Sequence, residues 1–188
     1  MSDSEAAQLG ILRTIQPEEL GLMLAWRNAP SVRNNMYTRH EISLPEHLAW
    51  WNRVKKRSDQ RYFMHERQDV PLGIVAFNGI DGVNKNASWA FYAAPDAPKG
   101  TGSKMGFLAL EHAFYSLQLH KLCGEALSFN AASIKFHQKL GFKVEGIQRE
   151  QHWLDGAFTD VYCLGLLAHE WQENRAEILS KLLNLSKS

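Results

Sequence analysis

The chain has 188 residues, 45% of them hydrophobic and 22% charged, which suits one compact domain over residues 1–188 with a full core. Its 21 Lys and Arg against 20 Asp and Glu leave a formal net charge of +1, which argues against binding nucleic acid or membranes through bulk charge. Two cysteines, Cys123 and Cys163, are too few for a zinc set or a disulfide framework. The sequence shows neither the apolar length of a membrane span nor the pattern of a signal peptide, so we expect a cytoplasmic protein without a bound metal.

The predicted elements begin with a strand over Leu9–Ile15. A helix follows over residues 17–28 and ends before a proline. Residues 31–44 show neither helical nor strand periodicity and are predicted to be irregular. A second helix starts near Ser43, because Glu46 occupies the capping-box position three residues later.

The middle of the chain is predicted to be rich in strands. Strands are predicted at Arg61–His65, Leu72–Gly79 and Ala87–Ala93, joined by turns into an antiparallel meander. A loop rich in Pro and Gly then leads into a helix over Ser103–Leu119, with Ser103 as its predicted N-cap.

The C-terminal part alternates between the two types of element. A strand at Leu122–Phe129 and a helix at Ala132–Leu140 are followed by two strands, near residues 143–151 and 159–167, and by a final helix over Glu170–Leu183. This order predicts an α+β fold with one mostly antiparallel sheet and helices packed on both faces.

The first chemical signal is the glycine-rich loop from Pro98 to Ser103. Its glycines let successive backbone N–H groups point into one concavity, and the helix start adds further donors, which suits a pyrophosphate. The spacing matches neither a Walker A loop nor a dinucleotide-binding fingerprint. Taken alone, such a loop is more often a structural turn than a ligand site.

The second signal is the segment NAASIKFHQKLGF, from Asn130 to Phe142. Asn130 ends a strand, where its side chain is placed to bond a ligand amide or to cap the next helix. Ser133 and His137 are four residues apart and share a helical face. Together with the glycine loop, this segment resembles the GCN5-related N-acetyltransferase (GNAT) superfamily, and the likeness covers about residues 9–171.

The resemblance implies a sheet splayed between its fourth and fifth strands, with acetyl-CoA in the gap as co-substrate. The pantetheine amides would pair with the backbone near Phe91 and Ala93, and Asn130 and Ser133 would hold the pantetheine and the arm near the adenine. The pyrophosphate would lie on the backbone amides of Lys99, Gly100, Thr101, Gly102, Ser103 and Lys104.

Two positions depart from the family pattern. Ala97 stands where the loop usually opens with Gln or Arg, so the cofactor is expected to be less firmly ordered. His137 stands where a tyrosine usually protonates the departing thiolate. An imidazolium is able to do so, which makes His137 the expected general acid, with a core-packing histidine as the alternative.

The N-terminal third carries a finer resemblance, to the acetyltransferases of pseudaminic acid biosynthesis, which acetylate the 4-amino group of a UDP-linked 4-amino-4,6-dideoxy sugar. It rests on the segments WRNAPSVRNNMYT and ISLPEHLAWW. A nucleotide-sugar site needs an apolar surface for uracil and sugar and cations for the diphosphate. The residues expected to supply this site are Arg27, Met36, Tyr37, His47, Trp50 and Asn78.

Simpler roles compete with these. Tryptophans at helical positions, such as Trp26 and Trp50, are more often core residues than ligand platforms. Arg33 and Arg39 are expected to be solvated surface groups.

Glu125 is the expected catalytic base. Strand alternation puts it on one face with Cys123 and Leu127, where we expect partial burial, and a buried carboxylate is costly unless it binds a proton or a cation. The finer resemblance points to the same position, with the proton taken through water. The implied reaction is direct attack of the amine on the thioester, with backbone amides near Ala93 polarising the carbonyl.

Several alternatives stay open at this point. One alternative is a different acceptor amine, either a ribosomal-protein N-terminus or a polyamine. The other is that the chain is a non-catalytic module that binds acyl-CoA. A homodimer is a possible assembly.

Overall fold

The structure is a computed structural model that describes residues 7–184. Seven strands form its sheet: β1 (Ile11–Thr14), β2 (Gln60–Arg67), β3 (Val70–Asp81), β4 (Asn86–Ala93), β5 (Lys121–Leu127), β6 (Lys143–Leu154) and β7 (Ala157–Leu167). They lie in the order β1-β2-β3-β4-β5-β7-β6. Every neighbouring pair is antiparallel except β4 and β5, so the predicted α+β fold is confirmed.

Helices cover the sheet on both faces. They are α1 (Leu20–Asn28), α2 (Pro30–Arg33), α3 (Leu44–Val54), α4 (Thr101–Glu111), α5 (Ala131–Lys139) and α6 (Ala168–Asn184). The larger core includes Met105 and Phe107 of α4, Leu122 of β5 and Trp171 of α6. A smaller core on the other side joins α1 to the β2–β3 hairpin, because strand alternation sends residues such as Met64 to that face.

The parallel pair is short. Asn86–Ser88 of β4 pair with Lys121–Cys123 of β5, and beyond these three residue pairs the strands separate. The remainder of β4, up to Ala93, still pairs with β3. The sheet is therefore forked between its fourth and fifth strands, as predicted.

Helix α4 begins earlier than predicted. Its N-cap is Gly100, with a φ of +90°, and the helix starts at Thr101, so the predicted cap at Ser103 is wrong. Glycine adopts this left-handed conformation without the strain of a Cβ atom. At its other end α4 loosens into a π-helical turn over His112–Ser116.

The β6–β7 hairpin forms one edge of the sheet. Within the described residues β6 pairs with β7 alone, and its register shifts twice, between Val144 and Gly146 and between Gln148 and His152. Glu150, in the second break, has a φ of +52°. Most of β6 is exposed to solvent.

Some expectations concern the chain as a whole. No helix between residues 7 and 184 is long and apolar enough to cross a membrane. Cys123 and Cys163 are free thiols. Residues 1–6, where the sequence was searched for a signal peptide, lie outside the described residues.

Candidate active site

The glycine loop leads directly into the start of α4. The Thr101 hydroxyl donates to the Pro98 carbonyl at 2.7 Å and so closes the turn. Among the described residues, no side chain caps this helix start. The first N–H groups of α4 therefore remain suited to an anion, and the positive end of the helix dipole adds to the attraction.

A basic cavity of about 370 Å³ lies beside this helix start. The expected loop residues Lys99, Gly100, Ser103 and Lys104 line it, together with Arg67 from the β2–β3 hairpin. Burial, and then the nearby charge of Arg67, lower the pKa of Lys104. Arg67 was not among the expected residues, because nothing in the sequence indicates that this hairpin reaches the loop.

The fork offers a place for an extended thioester. The backbone of Phe91 to Ala93 lies beyond the last residue paired with β5, so this edge of β4 has no strand partner on the β5 side. The Phe91 ring of β4 packs against the Phe136 ring of α5, with centroids 4.8 Å apart, so apolar rings lie beside this strand edge. An unpaired strand edge, apolar rings and a basic helix start together fit the pantetheine amides and phosphates of CoA.

Asn130 and Ser133 meet at the start of α5. The Asn130 side chain accepts a hydrogen bond from the Ser133 backbone N–H at 3.0 Å and caps the helix. This is one of the two roles expected for Asn130. Contact of either residue with a cofactor remains a prediction.

His137 does not have the surroundings of a proton donor. His137 is 2% exposed, and the indole N–H of Trp89 on β4 donates to its Nε2 at 3.2 Å. Because that indole only donates, Nε2 is the acceptor nitrogen, and Nδ1–H donates to the Ser133 carbonyl at 2.8 Å. Burial lowers the pKa of His137 and keeps the ring neutral. These surroundings disfavour the expected general-acid role of His137 and match the core-packing alternative.

A second cavity, of about 470 Å³, lies between α1, α3 and the β2–β4 strands. We call it the acceptor cavity. Tyr62 and Tyr92 add two hydroxyl groups to its wall. Alternation along β4 puts Tyr92 on the face of Ala90, a signal that sequence reasoning overlooked. Five of the six residues expected to bind the substrate line the cavity: Arg27, Met36, His47, Trp50 and Asn78.

Three residues of this wall carry buried polar atoms without a hydrogen-bond partner among the described residues. They are Nη1 of Arg27, Nε2 of His47 and the hydroxyl of Tyr92. Burial lowers the pKa of Arg27 and of His47 and raises that of Tyr92. Arg27 is otherwise held through its Nη2, which donates to the Thr38 carbonyl at 3.0 Å.

The sixth expected residue, Tyr37, lies on residues 34–42, which we call the strap. Its hydroxyl donates to Glu125 of β5 at 2.7 Å. Arg39 of the strap pairs with Asp155 at 2.6 Å, and its guanidinium lies 5.0 Å from the centroid of the Phe129 ring. The expectation that Arg39 is a solvated surface group is therefore wrong.

The strap is fixed at its base and borders the fork. Asn28 exchanges two hydrogen bonds with the backbone of Ile42, at 2.8 and 2.9 Å. Glu125 is exposed to solvent even with Tyr37 of the strap bound to it, and is not partly buried as expected. Ser88 pairs with Cys123, so alternation puts Glu125 on the face of Ala90, which lines the acceptor cavity.

A forked sheet with a glycine loop and a basic helix start defines a transferase that takes its acyl group from a CoA thioester. The chain belongs to the GNAT family, because the family model described as "Acetyltransferase (GNAT) domain" matches residues 11–143. It is an N-acetyltransferase that moves an acetyl group from acetyl-CoA to an amine. Within residues 7–184, no group of three or more His, Cys, Asp or Glu side chains is placed to hold a metal ion.

Known relatives point to different acceptors. An uncharacterised prophage-derived N-acetyltransferase of Bacillus subtilis is 28% identical over 87% of this chain and 92% of its own length. The acetyltransferase PseH of Campylobacter jejuni is 27% identical over 69% of this chain and 80% of its own. The crystal structure of Vibrio cholerae spermidine N-acetyltransferase with CoA and spermine has a TM-score of 0.80 at 22% identity, covering 86% and 96% of the two chains. At that identity the likeness shows the fold alone.

Proposed function

We propose that this enzyme acetylates the 4-amino group of a UDP-linked 4-amino-4,6-dideoxy sugar, in pseudaminic acid biosynthesis. The observation that carries the proposal is the set of unpartnered polar atoms in the wall of the acceptor cavity. Leaving a buried polar group unpaired costs about 1–3 kcal/mol. A ligand that pairs with several such groups at once gains affinity and orientation.

The hydrogen-bonding directions of these groups favour an oxygen-rich ligand. Arg27 offers N–H donors and Tyr92 offers a hydroxyl, which suit phosphate or sugar oxygens. One ring nitrogen of His47 donates to the Leu20 carbonyl, so its Nε2 is an acceptor for a sugar hydroxyl. Met36 and Trp50 add apolar surface for a base or a sugar ring.

A polyamine fits the acceptor cavity less well. It is a polycation with N–H donors and no acceptor while protonated, so a polyamine site needs carboxylates. Glu46 is the one carboxylate among the described residues that line the cavity, and it already lies 3.0 Å from His40. Arg27 and Arg53, in the same wall, repel a polycation. A protein N-terminus is also positively charged and would favour an acidic groove, so the same cations disfavour it as the acceptor.

In the proposed reaction, Glu125 and Tyr37 handle the proton of the amine, and the backbone of β4 at the fork binds the thioester. Acetyl-CoA supplies the acetyl group as a thioester. Glu125, held by the Tyr37 hydroxyl, takes a proton from the ammonium group of the acceptor through water. Backbone N–H groups near Ala93 bind the oxygen that becomes negative as the amine attacks. The C–S bond then breaks, CoA leaves as a thiolate, and the second proton of the amine nitrogen passes to that thiolate through water. A cytoplasmic location and a homodimer remain predictions.

A CoA-release assay tests the proposal with the full chain against the UDP-linked amino sugar, spermidine and a peptide with a free N-terminus. We expect turnover of the nucleotide sugar. The variants Arg27→Gln and Tyr92→Phe should each raise its KM about tenfold, while Arg57→Gln, an exposed control, should not. Turnover of spermidine or the peptide without the nucleotide sugar would refute the substrate, and no turnover of any amine would favour the non-catalytic module.

A further inference from the structure

The basic cavity beside the glycine loop brings three cationic side chains together. Arg67, Lys99 and Lys104 line one space of about 370 Å³. Among residues 7–184 none of the three has a carboxylate within 4.0 Å, whereas Arg13, Arg39 and Arg175 each have one at 2.6 Å. Three cations around one space repel one another, and a bound anion reduces that repulsion.

The position of Arg67 is fixed by the β2–β3 hairpin. Arg67 pairs with Val70 at the end of the ladder, and the two turn residues between them, Gln68 and Asp69, have φ values of +53° and +60°. Both central residues with positive φ make a tight turn of the kind that matches the twist of the strands. The guanidinium therefore extends from a rigid turn toward Lys104, instead of from a long loop.

Arg67 adds a cation from the β2–β3 hairpin to those of the glycine loop and α4. Ala97 occupies the position where related loops open with Gln or Arg, and in the structure it packs against the smaller hydrophobic core. That position therefore provides no polar group. The cation on this side of the loop comes from a different part of the chain, 30 residues earlier in sequence than Ala97.

We propose that Arg67, with Lys99 and Lys104, binds the 3′-phosphate of acetyl-CoA, beside the pyrophosphate on the start of α4. A phosphate monoester carries between one and two negative charges at neutral pH and three acceptor oxygens. A guanidinium pairs with such a group through two parallel hydrogen bonds, and lysines add point charges. The inference rests on the use of acetyl-CoA, which membership of the family gives, and is independent of the proposed acceptor.

Equilibrium binding tests this without reference to turnover. Calorimetry would give the Kd of the full chain for CoA and for dephospho-CoA, which lacks only the 3′-phosphate. We expect Arg67→Gln to weaken CoA binding about tenfold and to leave dephospho-CoA binding unchanged. Arg149→Gln, on the exposed β6 strand, removes the same charge far from the cavity and should leave both Kd values as in the parent chain.

Two results would overturn the assignment. If Arg67→Gln binds CoA as tightly as the parent chain, or loses the same factor for CoA and dephospho-CoA, Arg67 does not recognise the 3′-phosphate. If inorganic phosphate binds equally well to the free enzyme and to its CoA complex, the cavity is a separate anion site. Circular dichroism of Arg67→Gln at the assay temperature would verify that the variant is folded.

Discussion

The Tyr37 hydroxyl donates to the Glu125 carboxylate at 2.7 Å, although the two residues are 88 positions apart in sequence. Tyr37 belongs to the strap, which follows the N-terminal helices, and Glu125 belongs to the far branch of the fork. The contact thus joins the two branches of the sheet where they no longer share backbone hydrogen bonds. Burial and the neighbouring carboxylate raise the pKa of Tyr37, so its hydroxyl stays protonated and continues to donate.

Replacing Tyr37 by Phe removes this hydrogen bond and keeps the ring. Glu125 then loses the donor that fixes its orientation, and we expect kcat for amine acetylation to fall about tenfold, because hydrogen bonds to charged groups are the stronger ones. The Kd for CoA should not change. Tyr115→Phe, on an exposed ring, is the matched control. Full activity of Tyr37→Phe would show that the contact does not position Glu125.

Replacing Glu125 by Gln tests the base itself. An amide keeps the shape and accepts from Tyr37 but cannot take a proton, so we expect kcat to fall about 100-fold or more. Glu145→Gln is the control, because Glu145 lies on β6, which β7 separates from β5, and it pairs with Lys121. Steady-state kinetics with saturating acetyl-CoA measure the effect. An undiminished kcat would remove Glu125 from the mechanism.

His137 should make the protein less stable in acid. Burial lowers its pKa in the folded state, whereas in the unfolded chain it is near 6.5. As the pH falls below about 6.5, the unfolded state binds a proton that the folded state does not, so the free energy of unfolding falls by up to about 1.4 kcal/mol per pH unit. His47, His65 and His112, whose pKa values burial also lowers, act in the same direction.

Urea unfolding between pH 7.5 and 5 measures this contribution. His137→Gln keeps an acceptor for Trp89 without titrating, so its stability should depend less steeply on pH than that of the parent chain. The exposed His120→Gln should not change the slope. Folded His137→Gln should also keep most of its kcat, and a loss above 100-fold would restore the general-acid role.

Gly124 makes the position of His137 possible. A Cβ atom at this residue would lie 2.6 Å from Nε2 of His137 and 3.1 Å from the Trp89 indole nitrogen. We expect Gly124→Ala to destabilise the fold by about 1–3 kcal/mol, as other overpacked cores do. Gly146→Ala, where nothing lies within 4 Å, is the control in thermal unfolding. Equal melting temperatures for the two variants would contradict this packing.

Local patterns predicted most of the fold, and contacts between distant segments were the part they missed. The apolar residues of β3 and β4 indicated these strands, and both faces of β3 pack in hydrophobic cores. The cap of α4 was predicted at Ser103 from its side chain, but a left-handed backbone at Gly100 starts the helix earlier. The site followed the same rule, because Arg67 and Tyr37 lie beside partners that are distant in sequence.

His137 shows a second reason why sequence patterns do not predict the role of a residue. Its position in the motif indicated a proton donor, yet the role of a histidine depends on what surrounds each ring nitrogen. Here the indole of Trp89 and the carbonyl of Ser133 occupy both nitrogens. No sequence pattern specified that pairing.

The two register shifts in β6 affect how copies of this protein can meet. An edge strand with a regular ladder is a template for another strand, and bulges and charged side chains prevent such pairing. β6 has both, with breaks on either side of Ile147 and charges at Lys143 and Arg149. Growth of the sheet from one molecule into the next is thus disfavoured at this edge, which lowers the risk of aggregation at high concentration.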